Sequence, residues 1–229
     1  MTTYCITGAN RGIGLELARQ LTADGHTVIG TARNPDAATE LTQTGARVER
    51  LDVADPASVR ALGERLAGEP IDVLINNAGI FNDKAAGSFL EVKPDQLEET
   101  YRVNAIGPVL VTQALLPNVE QSDGKLVVHI SSDYGSHDTA SRSEWEGNLA
   151  YRSSKSALNM NHVLMSNELA KRGVTSLAIH PGWVETDMGG EGAALSPEQS
   201  VTAIRAIVER ASASDNGKFF SYEGHEMAW

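Results

Sequence analysis

The chain has 229 residues, 41% of them hydrophobic and 21% charged, with a net charge of −11 and one cysteine. The acidic balance argues against a general affinity for nucleic acid or anionic lipid. The lone Cys5 excludes an intramolecular disulfide and a cysteine-rich zinc site, and fits a reducing compartment. The length suits one α/β domain over residues 1–229 with a sizeable core, and no linker, repeat or low-complexity run interrupts it.

The opening "MTTYCITGANRG" has no basic start followed by an apolar core, so no signal peptide and a cytoplasmic location are expected. From there strand-like runs alternate with helix-period segments. "TYCIT" precedes "GIGLELARQLTADG", "TVIGTA" precedes "DAATELTQTG", and "RVERLDV" precedes "PASVRALGERLAG". "IDVLINN" precedes a longer region from Pro94, and "GKLVVHISS" leads to a helix holding Tyr151. "VTSLAIH" is followed by a glycine-rich loop and "PEQSVTAIRAIVER", and "GKFFSY" makes a last strand. The punctuation agrees. Gly25 and Gly45 close helices, Asp55-Pro56 and Ser196-Pro197 open them, and Ser196 with Gln199 suits a capping box. Regular alternation predicts a Rossmann-type fold, a doubly wound parallel sheet of about seven strands with helices on both faces. The charge-free run 103–119 contains Asn, Gly, Pro, Thr and Gln, so it reads as a buried helix and no membrane span is expected.

"TGANRGIG", Thr7 to Gly14, lies directly between the first strand and the first helix. Gly8 permits a tight turn, Gly12 lets backbone approach a ligand, and Gly14 allows close packing of the helix. The helix N-terminus then offers N–H groups to a pyrophosphate. At the end of the second strand, where NAD-preferring domains often carry a carboxylate, stand Ala32 and then Arg33, with Arg11 expected to project towards the same region. Two guanidiniums and no carboxylate favour a 2′-phosphate, hence NADP(H) over NAD(H).

Tyr151 and Lys155 are four apart and share a helix face. A free tyrosine has a pKa of about 10, and a nearby ammonium favours its phenolate.

The ordered set "TGANRGIG", "LDV" (51–53), "NNAG" (76–79), Asn104, "SS" (131–132), "YRSSK" (151–155) and "HPGWVETDM" (180–188) resembles the short-chain dehydrogenase/reductase family. The ending "GKFFSYEGHEMAW" is similar to its C-factor/sniffer-type carbonyl reductase branch. The resemblance implies a catalytic set of Asn104, Ser132, Tyr151 and Lys155. Tyr151 would be the acid/base, Lys155 its partner and Ser132 the holder of the substrate oxygen. Gly135 lies three residues after Ser132, as the family pattern requires, and Asn104 would hold a relay water. It also implies a cofactor site of Gly8, Asn10, Arg11, Gly12, Ile13, Gly14 and Arg33. Asp52 and Val53 would face the adenine, and Asn77, Ala78 and Gly79 would line the cofactor. Tyr151 and Lys155 would approach the nicotinamide side, with Pro181, Gly182, Val184 and Thr186. The implied activity is NADPH-dependent reduction of an aldehyde or ketone. The implied partners are a small carbonyl compound and further copies of the chain.

The 18 residues between Ser132 and Tyr151 exceed the family expectation by about six. Tyr134, His137 and Trp145 are candidates for substrate contact there, against a solvated loop, and His137 is a lesser candidate base. Trp183 and Met188, in a small-residue segment suited to a lid, are candidate apolar contacts. His129, His162 and His180 have no metal-ligand neighbour at useful spacing, so no metal is expected. Apolar residues on more than one helix face, among them Ile106, Met160 and Leu164, suggest a subunit contact in a dimer or tetramer. Two other functions compete: reduction of 3-oxoacyl thioesters, and a cofactor-binding signalling role with little turnover.

Overall fold

The computed structural model describes residues 1–142 and 147–229. Its strands are β1 (Thr3–Ile6), β2 (Thr27–Ala32), β3 (Arg47–Arg50), β4 (Val73–Asn76), β5 (Leu126–Ile130), β6 (Thr175–His180) and β7 (Phe219–Ser221). All pair in parallel, in the order β3-β2-β1-β4-β5-β6-β7. The helices are α1 (Gly12–Ala23), α2 (Thr39–Gln43), α3 (Pro56–Arg65), α4 (Pro94–Tyr101), α5 (Gly107–Glu120), α6 (His137–Arg142), α7 (Leu149–Ala170) and α8 (Pro197–Arg210). This is a Rossmann fold, as the alternation predicts.

The two-residue period of each strand divides its side chains between two cores. Tyr4 and Ile6 pack with Leu17 and Leu21 of α1 and with Val201 and Ile204 of α8. Cys5, between them, packs on the other face with Leu62 of α3 and Val111 and Leu115 of α5. Val128 and Val127 of β5 divide in the same way. Strands covered on both faces are apolar almost throughout, which accounts for the runs 73–75 and 126–130, the latter broken only by buried His129.

The caps form as read. The Asp55 carboxylate accepts from Ala57 N at 2.9 Å, and Ser196 and Gln199 exchange hydrogen bonds of 3.1 and 3.0 Å. Two predicted helices differ. In place of the helix read over 36–45 stand a 3-10 turn, Pro35–Ala37, and the five-residue α2, separated at Ala38 (φ −87°, ψ 50°). The helix expected over the run 103–119 begins instead at Gly107, after a π turn over Arg102–Ile106 that joins α4 to α5. Proline has no N–H, so Pro108 cannot bond the carbonyl four residues back, which belongs to Asn104.

In a parallel sheet every carboxyl end lies on one edge. The chain winds from β1 outward to β3 and then returns to place β4 on the other side of β1. That reversal opens a crevice above the ends of β1 and β4, where ligands of such sheets bind.

Candidate active site

The glycine loop leaves β1 at this crevice. Gly8 (φ 63°) and Gly12 (φ 54°) are left-handed, as the turn requires. A Cβ on Gly14 would lie 2.4 Å from Gly8 O and 2.5 Å from Asn77 Nδ2, so this glycine seats the helix against the loop itself. Arg11 at the N-cap of α1 is extended and gives no side-chain cap, which leaves the first N–H groups for an anion. The residues therefore fit a phosphate-bearing dinucleotide. Asn77 does not aim its amide at the crevice. It donates to Thr7 O (2.9 Å) and Gly8 O (3.0 Å), while the Thr7 hydroxyl accepts from Asn77 N and Ala78 N, both at 3.0 Å. It braces the loop, and a Cβ on Gly79, two residues on, would lie 3.4 Å from Asn104 Oδ1 and 3.8 Å from Lys155 Nζ. Asn10 is exposed and Ile13 half-buried at the same loop.

On the adenosine side Ala32 is buried, and Arg33 is exposed with no ion pair among the described residues. The Arg11 guanidinium lies 3.5 Å from Asp187, and both side chains are exposed, so the pair is weak. Asp52 accepts from Ala54 N at 3.0 Å in a tight turn after β3, and Val53 packs against Gly107.

α7 carries Tyr151 and Lys155, both buried. Ser132, after β5, caps the turn Asp133–Gly135 by accepting from Tyr134 N at 3.1 Å, and its hydroxyl donates to Asp133 Oδ1 at 3.1 Å. Gly135 sets this approach, since a Cβ there would lie 2.7 Å from the backbone of Lys155. Lys155 Nζ donates to Ile130 O at 2.8 Å and stands 5.8 Å from the Tyr151 ring centre.

Burial pushes the Tyr151 phenol above its ordinary value, with the nearby Ser132 hydroxyl pulling the other way and Asp133 and Tyr134 adding to the rise. Burial also lowers the Lys155 ammonium to about 8. In this geometry desolvation of the phenolate outweighs any pull from the Lys155 ammonium, one of whose three donors goes to the Ile130 carbonyl.

Asn104 is fully buried, accepting from Ile80 N (2.9 Å) and donating to Ile80 O (2.9 Å) and to Ser154 Oγ (3.0 Å). Its side chain is thus committed to bracing the segment at Ile80 against α7.

Around this centre the outcomes differ. Tyr134 meets the Tyr151 ring edge-on at 6.3 Å, under the Arg152 guanidinium. His137 lies in α6, with Nε2 2.6 Å from Ser156 Oγ of α7. Trp145 lies outside the described residues. Trp183 is exposed, and its Nε1 donates to Gly189 O at 2.9 Å. Met188 offers its carbonyl to Lys84 Nζ at 3.1 Å. Thr186 faces the glycine loop, its methyl 3.3 Å from where a Gly12 Cβ would stand. Pro181 O accepts from Ser200 Oγ at 2.6 Å, Gly182 turns left-handed (φ 81°), and buried Val184 pairs with Leu195, fixing the base of this segment. His180 Nδ1 accepts from Asp133 N at 3.1 Å. His129 and His162 lie edge to face at 5.4 Å in the core, both pushed down by burial, His162 to about 4.

Three residues escaped the sequence reading. Phe81 stacks on Tyr151 with ring centres 4.3 Å apart. Asn159 joins Ser131 Oγ (2.5 Å) to Gly135 O (3.1 Å). Asp83 meets the start of α7. The period of α7 puts Asn159 on the Tyr151–Lys155 face, a signal that was available. Nothing in a single sequence marks Phe81 or Asp83.

Comparison with known proteins agrees with this geometry. The chain is 38% identical over 171 residues to the C-signal of Myxococcus xanthus, covering 75% of this chain and all of that one. It superposes on the NADPH-bound carbonyl reductase from chicken fatty liver with a TM-score of 0.91, at 34% identity over 100% of this chain and 99% of the other. The carbonyl reductase Sniffer of D. melanogaster matches with a TM-score of 0.91 at 28% identity, over 100% of both chains. A profile described as short chain dehydrogenase matches residues 2–194, and with the Rossmann fold and the Ser132–Tyr151–Lys155 cluster in place, the chain belongs to the short-chain dehydrogenase family of oxidoreductases.

Proposed function

We propose that this oxidoreductase is an NADPH-dependent carbonyl reductase that converts an aldehyde or ketone to its alcohol. The observation that carries the reading is a buried phenol, Tyr151, backed by buried Lys155, with buried Ser132 following β5 at the carboxyl edge of the sheet. Reduction requires a hydride at carbon and a proton at oxygen. Bound NADPH supplies the hydride. The likeness to an NADPH-bound carbonyl reductase supports both cofactor and substrate class.

The chain's own residues do the rest. The N–H groups opening α1 take the pyrophosphate, and exposed Arg33 takes the 2′-phosphate. Ser132 donates to the substrate oxygen and stabilises the charge developing there. Tyr151 gives its proton to that oxygen. A phenol held protonated by burial suits a donor, and the Lys155 ammonium stabilises the phenolate left behind until a proton returns. Asn104, beside Gly79 and Ser154, is the residue that would hold a relay water.

Turnover is tested by following NADPH absorbance with a panel of aldehydes, ketones and 3-oxoacyl thioesters. Tyr151→Phe should lower kcat by about 10²-fold or more while NADPH binding persists. Unchanged turnover in that variant would refute the mechanism. The likeness to C-signal favours one second reading, a cofactor-binding signalling role, and tight NADPH binding with no turnover on any carbonyl would select it. We also propose association of copies through α5 and α7, where Ile106, Met160 and Leu164 stand exposed.

A further inference from the structure

The longest helix of the fold has no cap of its own. Asn148, which precedes α7, is left-handed (φ 54°, ψ 35°) and makes no side-chain cap hydrogen bond, and the first turn holds no acidic residue. The first N–H groups of a helix find no partner within it. Here two of them belong to Ala150 and to Tyr151 itself, and both are satisfied from far away in sequence. The fully buried Asp83 carboxylate accepts from Ala150 N through Oδ2 at 2.7 Å and from Tyr151 N through Oδ1 at 3.2 Å. The segment carrying Asp83 is fixed to the same place by its neighbours. Asn148 N donates to Ala86 O at 3.3 Å, and a Cβ on Gly147 would lie 2.5 Å from that oxygen. Two residues before Asp83, Phe81 stacks on the phenol.

We infer that Asp83 is a positioning residue for the reaction: its carboxylate caps α7 through both oxygens and so fixes the Tyr151 backbone where the phenol meets Ser132. The inference rests on the reading of Tyr151 as proton donor. The charge is held by two N–H groups and the positive end of α7, an arrangement that favours a carboxylate over any neutral side chain. Either oxygen alone would hold the helix start. Two oxygens on successive N–H groups also resist its rotation, and rotation of this turn is what would carry the phenol away from Ser132.

The test compares Asp83→Ala, Asp83→Asn, Tyr151→Phe and the Asp83→Ala/Tyr151→Phe double variant in the full chain. The readouts are kcat and KM with NADPH and an aldehyde, the NADPH Kd, and amide hydrogen exchange over residues 149–153 without cofactor. Asp83→Ala should lower kcat roughly tenfold with the NADPH Kd held within about twofold, as displacement of a reacting group does. Exchange should quicken in the first turn of α7, and no further loss of kcat should appear in the Tyr151→Phe background. Asp83→Asn, which keeps an acceptor oxygen, should recover part of the rate and stands in if the alanine variant does not fold. Unchanged kcat, an equal loss in the Tyr151→Phe background, or cofactor binding weakened by the same factor as kcat would each overturn the inference. Should Tyr151→Phe turn over normally, the proton-donor reading fails instead, and the exchange result still decides whether Asp83 caps the helix.

Discussion

Lys155 has an ordinary pKa of 10.5 and is lowered to about 8 by burial, so its charge is poised near neutrality. Between those two values the unfolded chain holds this proton more tightly than the folded one. The lysine's contribution to stability therefore rises with pH across that window, and below about pH 8 the fold carries a desolvated ammonium. For activity the sign reverses, because the ammonium is the useful form. Tyr151, held above its ordinary value, keeps its proton throughout, so the basic limb belongs to the lysine. We expect kcat/KM for NADPH, which reports on the free enzyme, to fall as pH rises through about 8. A flat profile to pH 10 would contradict this. At the other end of the crevice, Arg33→Ala should weaken NADPH by about tenfold to hundredfold, as the loss of a charge-assisted hydrogen bond does. NADH should change little. Equal loss for both cofactors, measured as Kd by fluorescence titration, would remove Arg33 from the 2′-phosphate site.

Among the elements, the turn from β1 into α1 is set by contacts as much as by its own glycines. Gly14 has no room for a Cβ because Gly8 O and Asn77 Nδ2 already fill that space. Gly14→Ala must push the loop off β4 and break the Asn77 brace. We expect its NADPH Kd to rise at least about tenfold, with a loss of stability of the order of 1–3 kcal/mol from overpacking. Calorimetry and cofactor titration on the same sample would check both, and an alanine variant with normal affinity would show that the loop tolerates displacement. The π turn at Arg102–Ile106 has a similar logic, for Pro108 removes a helical donor and Asn104 turns its amide to Ile80, so that a helix end becomes a brace for the segment after "NNAG".

At the scale of the molecule, the helices on one face leave apolar side chains uncovered. Met160 and Leu164 are 60% and 62% exposed on α7, and Ile106 is 49% exposed beside it. Water contact with such a patch is unfavourable, and a second copy presenting the same patch removes it symmetrically. Met160→Glu combined with Leu164→Glu should shift the mass by light scattering at micromolar concentration to that of a single chain. A wild-type mass already equal to one chain would exclude this contact.

Strand number, parallel pairing and the glycine loop were legible because each is written locally: in apolar runs of strand length, in helix caps such as Ser196–Gln199, and in glycines placed between a strand and a helix. The Tyr151–Lys155 spacing was equally local, since a helix fixes its geometry. What the sequence by itself left open depends on segments far apart in the chain. The burial that raises Tyr151 and lowers Lys155 comes from β5, Phe81 and the turn at Gly135, so no neighbouring residue could announce it. The turn of Arg11 towards Asp187 spans 176 residues, and the capping of α7 by Asp83 spans 67. Sequence determines which backbone geometry each segment prefers. Tertiary packing decides which side chains lose water, and with it their charge and their partners.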